Sequence, residues 1–216
     1  MPTRLEEGIQ ELERRLQAMK RSVDRMLQDA VRAVVTQDQE LAEEVIRYDD
    51  TVDEMELEID ELVLRLILHG PLATNLRFIV TALRINSDLE RVGDQARNIA
   101  KHARTLALEP PLKPYVDLPR TAEHVAKMLD EAMAALLDRD AERARRILTQ
   151  DQLVDEVYDQ VHRELLTYMM SDPSTIQRAL NILMIFRNLE RIADHATNIA
   201  EDVIFIVEGA VVKHRY

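Results

Sequence analysis

The chain has 216 residues, 46% hydrophobic and 31% charged, with 28 Lys and Arg against 40 Asp and Glu and a formal net charge of −12. That balance argues against nucleic acid as a partner and against direct adsorption to anionic lipid. The absence of Cys rules out disulfides, thiolate metal sites and cysteine nucleophiles.

The N-terminus, Met1-Pro2-Thr3-Arg4-Leu5-Glu6-Glu7, turns acidic at once and has no apolar signal-peptide core. A first helix follows, with Met19 and Met26 expected in its core. After a short break comes a second helix crowded with acids, among them Asp49 and Asp53 at i, i+4. His69-Gly70-Pro71 stops it and starts a third helix at the proline. That helix carries two apolar stripes: Leu76, Ile79, Val80, Leu83, and Ile85, Leu89, Val92, Ala96, Ile99. Apolar residues on two sides mark a helix central to a bundle, and Gly93 inside it predicts close packing.

Pro110, Pro111, Pro114 and Pro119 mark a linker near 106–119. The plan then repeats. Met128 and Met133 occupy the core of a new first helix, and Asp151 and Asp155 repeat the acidic pair. Asp172 is placed to cap a helix starting at Pro173. The stripes return as Ile176, Ala179, Leu180, Leu183 and as Ile185, Leu189, Ile192, Ala196, Ile199. The last apolar-rich stretch, Val203 to Val212, contains Glu208 and falls short of the roughly 20 residues that span a bilayer.

The duplication is explicit. Leu89-Glu90-Arg91-Val92-Gly93-Asp94-Gln95-Ala96-Arg97-Asn98-Ile99-Ala100 recurs 100 residues later as Leu189-Glu190-Arg191-Ile192-Ala193-Asp194-His195-Ala196-Thr197-Asn198-Ile199-Ala200. Earlier segments, such as Val52-Asp53-Glu54 and Val154-Asp155-Glu156, match at an offset of 102, so two residues are lost at the second turn. The expected fold is all-α: six helices in two tandem, pseudo-symmetric three-helix bundles. Residues 1–110 form the first repeat and 116–216 the second.

In both copies Glu, Asp and Asn stand four residues apart, which stacks oxygen-bearing side chains along one side of a helix. The short turn makes the second and third helices antiparallel. The two acidic pairs of each hairpin then lie about 20 residues from its turn, within roughly 3 Å of one level. Two sites are therefore expected: Asp49, Asp53, Glu90, Asp94 with Asn98, and Asp151, Asp155, Glu190, Asp194 with Asn198. Carboxylates and an amide oxygen suit hard cations such as Mg, Mn, Ca or iron, with Zn as an alternative. The competing reading is a purely structural ion-pair network with Arg91 and Arg191. His195 points about 100° from Asp194 and is expected on the polar rim, where the first copy has Gln95.

The two Leu-Glu-Arg-x-x-Asp-x-x-x-Asn-Ile-Ala segments, the paired Asp-x-x-x-Asp sequences and the duplicated helical plan resemble the PhoU family of phosphate transport system regulators. The resemblance covers nearly the whole chain. It implies two similar three-helix bundles and metal clusters held at Asp49, Asp53, Glu90 and Asp94, then at Asp151, Asp155, Glu190 and Asp194. Asn98 and Asn198 match the motif's polar extension, and Gln95 departs from it where the second copy has His195. Among divalent or trivalent metal ions, iron is the first expectation, with Zn, Mn or Mg as alternatives.

The function implied is negative regulation of the phosphate-starvation response, without enzymatic activity. The expected partners are the cytoplasmic side of a phosphate ABC transporter and a sensor histidine kinase, with a homodimer as a further assembly. The expected location is cytoplasmic, peripheral to the inner membrane through protein partners and without direct membrane insertion. The rival class is a carboxylate-bridged dimetal enzyme or metal store. Such bundles draw Glu-x-x-His motifs from facing helices, which His102, His124 and His162 do not supply. A purely structural helical scaffold is the third reading.

Overall fold

The computed structural model describes residues 3–209, and no strand occurs among them. The first half comprises α1 (Arg4–Thr36), α2 (Gln39–Ile67) and α3 (Ala73–Leu106). The second comprises α4 (Asp117–Asp138), α5 (Ala141–Ile147), α6 (Gln152–Ser171), one 3-10 turn (Pro173–Thr175) and α7 (Ile176–Glu208). Residues 1, 2 and 210–216 of the two expected repeats lie outside the described residues, as does the end of the Val203–Val212 stretch. No helix of the described residues is long and apolar enough to cross a membrane.

The helix ends follow from local chemistry. Thr3 and Glu6 form a reciprocal capping box at the start of α1, with Thr3 N donating to Glu6 Oε2 at 2.6 Å. Gln37 then turns left-handed, and Asp38 caps α2 by accepting from Leu41 N at 2.9 Å. Arg139 and Asp140 repeat this turn before α5, with Asp140 accepting from Arg143 N at 2.9 Å. Asp172 caps as expected, accepting from Ser174 N at 2.9 Å.

The expected two-bundle plan is observed with one departure: the second helix of the second half breaks into α5 and α6 around Leu148–Asp151. There the Gln150 carbonyl lies 3.0 Å from His124 Nε2, and its side chain donates to Glu131 at 3.1 Å. In the first half the same places hold Tyr48 and Ser22, which bond side chain to side chain at 3.2 Å, and α2 runs through unbroken. The structural difference is therefore a backbone carbonyl engaged by a neighbouring helix.

The core lies where α3 and α7 pack centrally against the other helices. Met19, Met26, Met128 and Met133 are buried, as are Ile85, Leu89, Val92, Ala96, Ile99 and all five of their repeats. A Cβ at Gly93 would come within 3.3 Å of Val52 on α2 and 3.5 Å of Val23 on α1, so the expected close approach is present. The other apolar stripe is corrected by the structure. Ile79 and Ala179 are buried, but Leu76, Val80, Ile176 and Leu180 are each about two-fifths exposed. Of the two apolar faces, the one continued through Ile99 and Ile199 is buried along its length, while the other meets the core only at Ile79 and Ala179, with Leu83 and Leu183 packed at its edge.

The two halves meet along antiparallel α3 and α7. Asp88 faces His195 at 2.8 Å, His102 faces Asn181 at 2.8 Å, and Arg84 meets Asp202 at 3.3 Å. Lys20 on α1 pairs with Asp130 on α4, and Arg139 reaches Glu13 at 2.7 Å. Residues 107–116 link the halves, held by Arg178 to the Pro110 carbonyl at 3.1 Å and by the Lys113–Glu164 ion pair.

Candidate functional site

Antiparallel packing of α2 on α3 brings Asp49 and Asp94 to one level, as the hairpin register requires. The direct sign is Arg97, whose guanidinium bridges the two: Nη1 pairs with Asp49, and Nη2 lies 2.5 Å from Asp94 Oδ1. Asp49 is 2% exposed, whereas Asp53 next to it on α2 is open to solvent. Arg91 sits further off, 3.6 Å from both Glu90 and Asp94.

The electrostatics report crowding. Burial pushes Glu90 up to about 7, aided by the charges of Asp94 and Glu56 and opposed by Arg91. Burial also raises Asp49, with Arg97 pulling the other way and Asp53 and Asp94 adding to the rise. Burial alone would lower Arg97, but Asp49 and Asp94 outweigh it and hold the guanidinium cationic. Glu56 is raised by burial and then by Asp60 and Asp53. It belongs to the cluster, although in the sequence it is one acid among many on the second helix.

The second cluster is built from Asp151 and Asp155 at the start of α6 and from Glu190 and Asp194 on α7. The α5–α6 break places Asp151 at the N-cap and Asp155 in the first turn, where the helix dipole favours negative charge. Asp155 and Asp194 are exposed, and both are raised, by partial loss of hydration first and then by Glu190. Arg187 donates to Glu190 Oε1 at 2.5 Å. The other oxygen, Oε2, is buried without a hydrogen-bond partner.

The remaining expected ligands divide. Asn98 is half-buried one turn beyond Asp94. Asn198 instead donates to Asp88 at 3.3 Å across the α3–α7 seam, and His195 faces the same carboxylate. Neither is directed into the Asp155–Asp194 group. The cations that meet the acids are also not those expected: Arg97 and Arg187 make the close contacts, while Arg191 is exposed and makes no ion pair among the described residues. Both lie three residues from a cluster acid, within reach on a helix.

As the side chains stand, no three of the described His, Asp and Glu residues close around a point that could hold a metal ion. The donor chemistry of the second cluster nevertheless fits a hard cation: four carboxylates, one with an orphaned buried oxygen. The first cluster already contains a cation, the Arg97 guanidinium.

The comparisons with known proteins agree on one family. The PhoU domain model matches twice, over residues 16–103 and 118–203. A phosphate-specific transport system accessory protein PhoU homologue from Aquifex aeolicus is 42% identical over 163 residues, covering 75% of this chain and 74% of its own. A homologue of the same description from Deinococcus radiodurans is 40% identical over 156 residues, covering 72% and 73%. The crystal structure of PhoU from Pseudomonas aeruginosa superposes with a TM-score of 0.89 at 39% identity, covering 94% of this chain and 98% of that one. The regulatory protein PhoU from Streptococcus pneumoniae gives 0.90 at 27% identity, covering 97% and 99%. Both repeats, their order and their helical architecture are accounted for, and the chain belongs to the PhoU family.

Proposed function

We propose that this protein is a cytoplasmic accessory regulator of phosphate-specific transport. It represses the phosphate-starvation response by coupling the cytoplasmic side of a phosphate ABC transporter to a sensor histidine kinase. The observation that carries this reading is the double match of the PhoU domain, joined to relatives described as accessory proteins of phosphate-specific transport. The role is that of a non-enzymatic adaptor. His195 faces Asp88 at 2.8 Å across the seam between the halves.

Metal binding is part of the proposal. Asp151, Asp155, Glu190 and Asp194 would hold a hard cation, with iron first among Zn, Mn and Mg. A cation held by these residues would supply positive charge that relieves the repulsion among the carboxylates. Affinity capture from detergent-solubilised membranes, with this chain as bait, tests the partner assignment. Enrichment of the transporter's cytoplasmic subunit and of the kinase is the expected result. Capture that a denatured bait reproduces equally well overturns it.

A further inference from the structure

We propose that Arg97 is a built-in counter-ion standing in the place of a metal in the first cluster, so that this chain binds metal in its second repeat alone. The inference rests on the metal reading above and deepens it by assigning different chemistry to two sites that the duplication makes look alike.

The geometry supports it at each point. Arg97 bridges Asp49 and Asp94, one acid from each helix of the hairpin, which is the link a bound cation would make. A guanidinium stays charged throughout the physiological range and offers a planar fork to two carboxylates at once. Asp49 is almost completely buried, so admitting a metal means expelling Arg97 and separating a buried ion pair. The corresponding penalty weakens metal binding there by roughly 100-fold or more.

In the second repeat the same place holds Thr197. Its hydroxyl donates to the Asp194 carbonyl at 2.8 Å. Among the described residues no ion pair engages Asp151, Asp155 or Asp194. Arg187 pairs with Glu190 Oε1 and lies over the Tyr158 ring; its charge is felt by Asp155 and Asp194 without an ion pair to either, and Glu190 Oε2 has no hydrogen-bond partner. The α2 positions that supply Glu56 and Asp60 are taken on α6 by Tyr158 and His162, whose rings stack 6.3 Å apart. Two copies of one plan have therefore diverged. In one, an internal cation bridges acids of two helices; in the other, Arg187 pairs with Glu190 alone and leaves the remaining three acids open to an external cation.

The test titrates the chelator-stripped, full-length protein with Mn²⁺ and follows free Mn²⁺ by electron paramagnetic resonance. The expected result is one class of site, lost in D155N/D194N and retained in D49N/D94N. Exchanging the copies should exchange the behaviour: R97T gains a second class of site, and T197R loses the original one. If D49N/D94N removes half the bound Mn²⁺ and R97T changes nothing, the inference is overturned while the metal reading survives.

Absence of Mn²⁺ binding in every variant overturns the metal reading and the division between repeats. The counter-ion role has its own readout, thermal unfolding in EDTA. R97T should unfold about 5 °C lower, with much of the loss recovered in D49N/R97T. An unchanged midpoint in R97T overturns the counter-ion assignment whatever the metal result.

Discussion

At the scale of single residues, the first cluster is a balance between one guanidinium and several carboxylates. Removing Asp49 leaves Arg97 partly buried with half its partners gone. Because Arg97 keeps some exposure to water, Asp49→Ala should cost about 2–3 kcal/mol, the lower part of the range for broken buried pairs. Thermal unfolding should fall by roughly 5–10 °C, and Asp49→Asn, which keeps an acceptor, should lose less. Glu90 makes a separate prediction. Its carboxyl is raised from 4.5 to about 7 in the folded chain, so its contribution to stability is fully present below 4.5 and is lost as pH rises through 7. In EDTA, Glu90→Gln should therefore raise the unfolding midpoint at pH 8 and have no effect at pH 4. A stabilisation that grows as pH falls would contradict this assignment. The meeting of Asp49 with Asp94 was legible in the sequence, because a short turn fixes the level of residues on antiparallel helices. Arg97 was legible only as a difference between the copies, and a search for shared motifs passes over differences.

At the scale of elements, duplicated sequence has produced duplicated turns but not identical helices. Asp38 and Asp140 cap α2 and α5 in the same way, and each exchange for Ala should cost about 1 kcal/mol, measured by denaturant unfolding. A loss at one position only would show that the two turns are energetically unlike. The α5–α6 break was not legible. At the break His124 meets the Gln150 carbonyl from another helix, a contact that no local periodicity encodes. The misassigned stripe has a related cause. Both faces of α3 carry apolar residues at helical spacing, and the choice between them is made by the other helices in the bundle. That choice leaves Leu76 and Val80 partly open on the face that also carries Glu90 and Asp94.

At the scale of the whole molecule, two bundles joined along α3 and α7 present a strongly acidic surface. With a net charge of −12, the chain should fail to float with protein-free liposomes of anionic lipid. Strong flotation would point to a lipid-binding scaffold and away from recruitment by membrane proteins. The two-bundle architecture was legible because separated segments matched at nearly constant offsets, which local noise does not imitate. The regulatory role came from family resemblance, since helix packing alone specifies no partner. Its most direct test is a phosphate-starvation reporter in a clean deletion strain with no second copy of the gene, grown in phosphate-rich medium. The proposed role predicts a reporter switched fully on and returned to repression by the wild-type chain. Normal repression in the deletion strain would contradict it.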